Sequence, residues 1–118
     1  MNRSFVAILV KLVLTFLAAW LAFDIVIDNG FVQIVLFSVV VTVINYLIGD
    51  MIILRRFGNV IAAIADGIIA MIIAYVFEFL SDDFNVTFGA VLVFGILIAI
   101  SEYVLHKFIV SDEEETLR

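Results

Sequence analysis

The stretch NYLIGDMIILRRFGNVIAAIADG, residues 45–67, carries polar and charged side chains through a chain that is otherwise almost as apolar as hydrocarbon. Hydrophobic residues make up 66% of the 118 residues, and the mean hydropathy is +1.31. A water-soluble domain is about half apolar, and one of this size cannot hide so much apolar surface. We therefore predict that the chain lies in a lipid bilayer.

The chain contains four apolar runs separated by short polar breaks. Each run holds about 19 to 25 residues, and a helix needs about 20 to cross ~30 Å of hydrocarbon. Without cysteine the chain forms no disulfide, no thiolate metal site and no thiol nucleophile. We predict an all-α integral membrane four-helix bundle over residues 1–110, with helices at about 5–23, 31–49, 59–80 and 86–110, and an acidic tail at 111–118.

The basic residues predict the orientation of these helices. All six fall on one side of the predicted bundle: Arg3, Lys11, Arg55, Arg56, Lys107 and Arg118. The positive-inside rule then places both termini and the turn at residues 50–58 in the cytoplasm. Asp50 is interpreted as part of that turn, and Arg55 and Arg56 as topology anchors. Basic residues scattered between helix ends form no basic face, so nucleic-acid binding is not expected.

The two turns on the other side hold only acidic residues. In the second of them, Ser81, Asp82 or Asp83 is predicted to cap the fourth helix, because short oxygen-bearing side chains bond the free backbone N–H groups of a helix start. No Gly-rich phosphate loop and no Ser-His-Asp order is present, so we do not expect an enzyme or a cofactor. A resident metal is not expected either, because one histidine is few for zinc.

Each predicted helix carries one stripe of small and polar residues at helical spacing, with Ile, Leu, Val and Phe elsewhere. Such stripes let helix backbones approach closely within a membrane. On the third helix, Ala63, Gly67 and Ala70 form a stripe of this kind. We therefore expect the chain to form homo-oligomers through these residues, and a Gly67→Leu variant to associate less.

The most polar residues of the four helices fall at about one depth. Counted at 1.5 Å per residue from the predicted cytoplasmic helix ends, the depths are about 10 Å for Lys11, 8 Å for Asn45, 12 Å for Asp66, 13 Å for Glu102 and 8 Å for His106. Ionised groups at such depth are costly unless paired or hydrated. We predict that these five residues form a buried polar layer, in which Lys11 is the only cation deep enough to pair with Asp66 or Glu102.

Three interpretations of the predicted polar layer remain open. It fixes helix packing as a Lys11–Asp66–Glu102 network bridged by its neighbours, which are Asn45, Tyr46, Tyr103 and His106. Alternatively, its carboxylates carry protons or cations through a channel or transporter, because one lysine leaves a surplus carboxyl. Finally, Glu102 and His106, four residues apart, present two metal ligands on one helical face, with Asp66 as a third, although one histidine is few for zinc.

The sequence also resembles a known family. YLIGDMIIL at residues 46–54, followed by Arg56, Asn59, Ala62 and IAD at 64–66, is similar to a motif of the YndM-like family, and EYVLHK at 102–107 is similar to its Glu-Tyr-x-x-His-basic motif. Lys11 matches a lysine in the family's first helix. The chain departs from the family at Arg55, where proline is usual, and at Gly67 and Ile68, which replace a Phe-Gly pair.

The resemblance implies a small four-helix protein of the bacterial cytoplasmic membrane, and no mechanism. The motif residues that it brings to this chain are Lys11, Asp50, Asp66, Glu102 and His106. We thus expect a non-enzymatic, multi-pass membrane protein with a buried polar layer, or else a proton- or cation-conducting one.

Overall fold

The computed structural model describes residues 3–25, 30–82 and 84–117, and the side chains of residues 5–23, 30–82 and 84–107. The described residues are almost entirely helical. In chain order the elements are α1 (Arg3–Trp20), the π-helix π1 (Leu21–Ile25), α2 (Phe31–Ile44), the π-helix π2 (Asn45–Ile53), α3 (Leu54–Phe57), α4 (Asn59–Leu80) and α5 (Phe88–Leu117).

Four helical segments are long and apolar enough to cross a membrane. They are Phe5–Phe23, Phe31–Phe57, Asn59–Leu80 and Phe88–Lys107, and they are called spans one to four below. Large apolar side chains cover their outer faces, as lipid contact requires; Phe79, for example, is 88% exposed. The prediction of an all-α membrane protein with four spanning helices is confirmed.

Span two is longer than the sequence predicts. Residue 49 does not end it, because π2 carries the helix through Asp50 and α3 continues it to Phe57. The change of direction falls on Gly58, whose φ of 89° lies in the left-handed region that suits glycine. The prediction of a turn over residues 50–58 is therefore wrong for residues 50–57, which are helical, although Arg55 and Arg56 are exposed close to the turn at Gly58.

Span four begins with a different cap from the predicted one. Thr87 Oγ1 accepts a hydrogen bond from Ala90 N at 3.2 Å, which makes Thr87 the N-cap of α5. Ser81 and Asp82 lie before this point, and Asp83 lies outside the described residues. At its other end α5 runs to Leu117, beyond the predicted boundary at residue 110, through the helix-favouring run of glutamates.

The stripes of small residues pack inside the chain. Gly67 lies against α5, where a Cβ added to it would meet Gly95 O at 2.7 Å and Ala99 Cβ at 3.2 Å. Ala63 and Ala70 are buried as well. This stripe joins α4 to α5, so it is not the surface of self-association that the sequence predicts; the formation of homo-oligomers stays a prediction without that contact.

The two ends of the helical core differ in chemistry. Near the turn after Ser81, aromatic rings from all four spans and from the segment before α5 pack in edge-to-face or tilted pairs. Their centroids lie 5.1–5.7 Å apart across the core. We call five of them the aromatic cluster: Phe23, Phe37, Phe77, Phe84 and Phe94. Toward the Gly58 turn, ionisable side chains fill the core instead.

Candidate functional site

Five ionisable side chains meet between the spans, and we call them the charged layer: Lys11, Asp50, Asp66, Glu102 and His106. Lys11 comes from α1, Asp50 from π2 and Asp66 from α4, while α5 supplies Glu102 and His106. None is more than 5% exposed. Every span thus contributes at least one member to a site from which lipid and water are excluded.

The π-helical form of span two brings Asp50 into the charged layer. Leu54 N–H donates to Gly49 O, five residues earlier, which is the bond of a π-helix. In an α-helix Asp50 would lie about 140° around the axis from Asn45. The wider turn of π2 instead buries Asn45, Gly49 and Asp50 together. π-helical segments are frequently found at functional sites.

Gly49 gives Asp66 its place beside π2. A Cβ added to Gly49 would lie 1.9 Å from Asp66 Oδ1 and 2.8 Å from Asp66 Cγ. Because the Asp66 carboxyl is buried and cannot withdraw, a larger residue at position 49 displaces it or the helix. Gly49 therefore belongs to the site, although it has no functional group.

Lys11 joins three of the four spans. Its Nζ lies 3.0 Å from Asp50 Oδ2 and 3.2 Å from Asp50 Oδ1, and it also donates to Glu102 Oε2. Of its two predicted partners, Lys11 is paired with Glu102, and the described ion pairs do not include one between Lys11 and Asp66. Asp50 takes that place because π2 turns its carboxylate toward α1.

The Nε2 atom of His106 is surrounded by carboxylates from three spans. It lies 2.8 Å from Asp50 Oδ1, 3.3 Å from Asp66 Oδ2 and 3.2 Å from Glu102 Oε2. A ring nitrogen carries at most one hydrogen, so one N–H cannot serve three acceptors in three directions. The site therefore has more negative oxygen around Nε2 than a single proton satisfies.

Asn59 fixes the other side of the His106 ring. Asn59 Nδ2 donates to Tyr103 O at 2.9 Å, which leaves Asn59 Oδ1 facing His106 Nδ1 at 3.0 Å. An amide oxygen only accepts, so Nδ1 carries the hydrogen. Nε2 then either bears a second proton or presents a lone pair to the three carboxylates.

Asp66 has the least compensation of the carboxylates. It is fully buried, and neither of its oxygens has a hydrogen-bond partner among the residues that the structure describes; its nearest cation is His106 at 3.3 Å. Three carboxylates against Lys11 leave two negative charges in the layer when His106 is neutral, and one when it is protonated. The layer has room for a further positive charge.

The remaining predicted residues lie outside these contacts. Asn45 is buried on π2, but no described hydrogen bond or ion pair links it to the charged layer, and its Oδ1 lacks a partner. Tyr46 is half-buried on the same segment. Tyr103 is exposed and lies under Lys107, whose Nζ is 4.6 Å from the ring centroid. Neither tyrosine side chain bridges the layer among the described contacts, and Tyr103 takes part only through its backbone carbonyl, which holds Asn59.

Helical periodicity alone does not predict that Asp50 and Asn59 belong to the site. Asp50 shares a face with Asn45 only in a π-helix, which an α-helical count does not reveal. Asn59 is the first residue of α4, and nothing in its position along the sequence indicates that it meets a ring on span four. The family motif, which includes both residues, was the signal that pointed to them.

The match to known proteins covers almost the whole chain. A model of the family described as "Protein of unknown function (DUF2512)" matches residues 2–117. The chain is also 26% identical over 112 residues to a protein of Bacillus subtilis (strain 168) named "Uncharacterized membrane protein YndM". That alignment covers 93% of this chain and 62% of the relative, so the chain spans less than two thirds of the relative's length. No solved structure matches the chain. The resemblance to the YndM-like family is confirmed, and the chain belongs to DUF2512, a family of membrane proteins of unknown function.

Proposed function

We propose that this protein takes up a cation, or a proton in its place, at the charged layer and carries it through the membrane. One observation carries the proposal: Asp66 is fully buried, and neither carboxylate oxygen has a hydrogen-bond partner among the described residues. A carboxylate within a membrane span is costly unless it is compensated, and such residues commonly mark ion or proton pathways. The proposed function is not enzymatic.

The aromatic cluster limits the kind of transport that we propose. Its rings fill the core between the charged layer and the Ser81 turn. On the other side, Asp50 precedes the Gly58 turn by eight residues, a helix rise of about 12 Å. An ion therefore has a short route to one surface and an aromatic barrier to the other. We expect slow, carrier-like transport with exchange at the Gly58 side, not the high conductance of an open pore.

The proposed location follows from the basic residues. Arg55 and Arg56 are exposed beside the Gly58 turn, and the positive-inside rule assigns such a turn to the cytoplasm. We propose that the protein resides in the bacterial cytoplasmic membrane with both termini and the Gly58 turn inside the cell. The charged layer then exchanges its ion with the cytoplasm.

A structural role is the second candidate, and the contacts of Lys11 favour it. Through Asp50 and Glu102, this one side chain connects spans one, two and four. Buried ionic groups can fix helix register without adding stability. This role explains Lys11 and its two partners, and it includes Asp66 through the 3.3 Å contact with His106, but it leaves both Asp66 oxygens without a hydrogen-bond partner among the described residues.

Reconstitution in liposomes separates the two candidates. Vesicles with a trapped pH-sensitive dye and a second dye quenched by divalent cations report both kinds of flux. We expect the unaltered protein to dissipate an imposed gradient, and the Asp66→Asn variant to lose at least nine tenths of that flux while melting within a few degrees of the parent. The matched control is Asp82→Asn, which removes an exposed carboxylate in the Ser81 turn.

Two outcomes decide between the candidates. A folded Asp66→Asn protein that conducts as well as the parent eliminates the transport role of Asp66. Absence of flux in every protein, with a large loss of melting temperature for the layer variants alone, supports the structural role instead.

A further inference from the structure

We infer that the charged layer is a binding site for one divalent transition-metal ion, with His106 Nε2 and one oxygen each from Asp50, Asp66 and Glu102 as ligands. This inference builds on the proposed function, because it gives the cation a chemical class. It departs from the sequence-based expectation of no metal, which rested on the single histidine and on a ligand set without Asp50.

The spacing of the four candidate ligand atoms is that of a small coordination sphere. All four lie within 4.8 Å of one another. The three oxygens lie 2.8, 3.3 and 3.2 Å from Nε2. Tetrahedral coordination with bonds of about 2.1 Å separates neighbouring ligand atoms by about 3.4 Å. The site therefore needs only small shifts, of about 1 Å or less at most ligands, to close around an ion.

A metal ion resolves a conflict that a proton leaves in place. Since Asn59 holds the hydrogen on Nδ1, a neutral His106 directs the Nε2 lone pair at three carboxylate oxygens. A proton on Nε2 satisfies one of those oxygens at most. A divalent ion at the centre accepts the lone pair and binds all three carboxylates at once.

The surroundings of His106 match those of metal-ligating histidines. Such residues almost always donate their second ring N–H to a carboxylate, a backbone carbonyl or water, which fixes the ring orientation. Here the acceptor is the Asn59 amide oxygen, and that amide is itself held by Tyr103 O. Asn59 is thus a positioning residue for the proposed site.

The charge of the layer suits a divalent ion. With His106 neutral, the three carboxylates and Lys11 sum to two negative charges, which one divalent ion cancels. The Asp66 carboxylate is the independent sign of a missing ligand, since it is fully buried, its Oδ2 lies 3.3 Å from His106 Nε2, and neither of its oxygens has a hydrogen-bond partner among the described residues. Lys11 competes for the site because its Nζ already bonds Asp50 and Glu102.

The donor set selects the class of metal. Three carboxylate oxygens and one imidazole suit Mn²⁺, Fe²⁺, Co²⁺ or Zn²⁺. Copper(I) prefers sulfur ligands, and Mg²⁺ and Ca²⁺ prefer oxygen ligands alone. The chain contains one histidine, so any imidazole ligand in an untagged protein must be His106.

The experiment uses the full chain, purified in detergent through a tag without histidine and stripped with a chelator. Co²⁺ titration monitored by visible absorption reports four-coordinate geometry, and calorimetry with Zn²⁺ and Mn²⁺ reports stoichiometry. We expect one ion per chain, at least tenfold weaker binding in Asp66→Asn and in His106→Gln, and unchanged binding in Asp82→Asn. Absence of saturable binding by the unaltered protein below about 100 μM overturns the inference, whatever the variants do.

Two further variants test the parts of the site that bind no metal. Asn59→Ala should weaken binding by about 10- to 100-fold and change the Co²⁺ spectrum, whereas Asn59→Asp, which keeps an acceptor at Nδ1, should retain binding. Lys11→Met removes the competing ammonium and should bind at least tenfold more tightly. Weaker binding by Lys11→Met, in a protein that still shows the native far-ultraviolet spectrum, contradicts the proposed competition and with it this ligand set.

The proposed transport function is tested independently of metal binding. Metal binding without flux in liposomes leaves the site in place and removes the transport proposal. Proton flux in chelator-treated liposomes, from a protein that binds no metal, removes the metal site and leaves the transport proposal in place.

Discussion

The aromatic cluster, in which every ring but that of Phe77 is fully buried, and the charged layer both lie in the core, but their buried groups are satisfied in different ways. Phe37 contacts four other rings with centroids 5.1–5.5 Å away, and apolar rings need no partner beyond good packing. Asp66, in the same helical core, lies 3.3 Å from His106, and neither of its oxygens has a hydrogen-bond partner in the part of the chain that the structure describes. The aromatic end of the core is satisfied by its own packing, whereas the charged end contains a buried carboxylate that lacks compensation.

The difference between the two ends distinguishes the contacts that hold the helices together from the charged groups that the helices enclose. In lipid the hydrophobic effect does not drive helices to associate, so packing and interhelical polar contacts do so. Aromatic packing supplies this at the Ser81 end without charge. Neutral hydrogen bonds would serve equally well at the Gly58 end. The use of three carboxylates there points to a function for the charge itself.

The largest expected difference between the two ends is in their access to the outside of the cell. The chain has no cysteine, so single cysteines are unambiguous labels. Asp82→Cys, in the turn beside the aromatic cluster, should react with an impermeant thiol reagent in intact cells. Phe57→Cys, beside the Gly58 turn, should react only after lysis, because the proposed orientation places that turn and its arginines inside the cell. Labelling of Phe57→Cys in intact cells reverses the proposed orientation.

Removal of Lys11 should be the most destabilising single change at the charged end. Lys11→Met strands the Asp50 and Glu102 carboxylates, at a cost of about 3–5 kcal/mol if the pair behaves like other buried ion pairs. Unfolding in mixed micelles measures the loss. Lys107→Met is the matched control, since Lys107 is exposed over Tyr103, and should cost no more than about 1 kcal/mol.

A double variant tests whether the loss belongs to the pair. Lys11→Met combined with Glu102→Gln should cost clearly less than the sum of the single losses, because the second change removes a stranded charge. Strictly additive losses show that Lys11 and Glu102 do not interact in the membrane.

Crowding at Gly49 should have an intermediate effect. Gly49→Ala places a methyl group 1.9 Å from the present position of Asp66 Oδ1, and the displacement should cost about 1–3 kcal/mol and disturb ion binding. Gly89→Ala is the control, since a Cβ there meets nothing within 4 Å, and should change stability by less than about 1 kcal/mol. Equal effects of the two substitutions on melting and on Co²⁺ binding argue against the packing of Asp66 on π2.

The smallest effect is expected in the aromatic cluster, on stability alone. Phe37→Leu keeps an apolar side chain and loses ring contacts, at a cost of about 1 kcal/mol. Flux and metal binding should stay unchanged, because no described polar contact joins Phe37 to the charged layer. Phe79→Leu, at a lipid-exposed position, serves as the control. Loss of ion binding in Phe37→Leu shows instead that the two ends are coupled.

Much of the fold could be predicted because the bilayer imposes its length scale on the sequence. Each apolar run had to be a helix of about 20 residues, since lipid offers no partner to a free backbone group. The same argument placed Lys11, Asp66, Glu102 and His106 at one depth, and the structure brings these four together. Depth depends only on helix rise, which the sequence gives directly.

The contacts between these groups could not be predicted from their depth. The sequence was sufficient to predict the four membrane spans, the stripes of small residues and the surplus of buried carboxylates. Each of these features depends only on composition and on spacing along one helix. The tertiary structure decided that Lys11 bonds Asp50 and Glu102, that His106 Nε2 faces three carboxylates, and that Asn59 orients the ring. These contacts depend on the rotation of each helix about its axis, and in span two a π-helix changes that rotation locally. Rotation is set by the packing of neighbouring helices, which no single helix encodes.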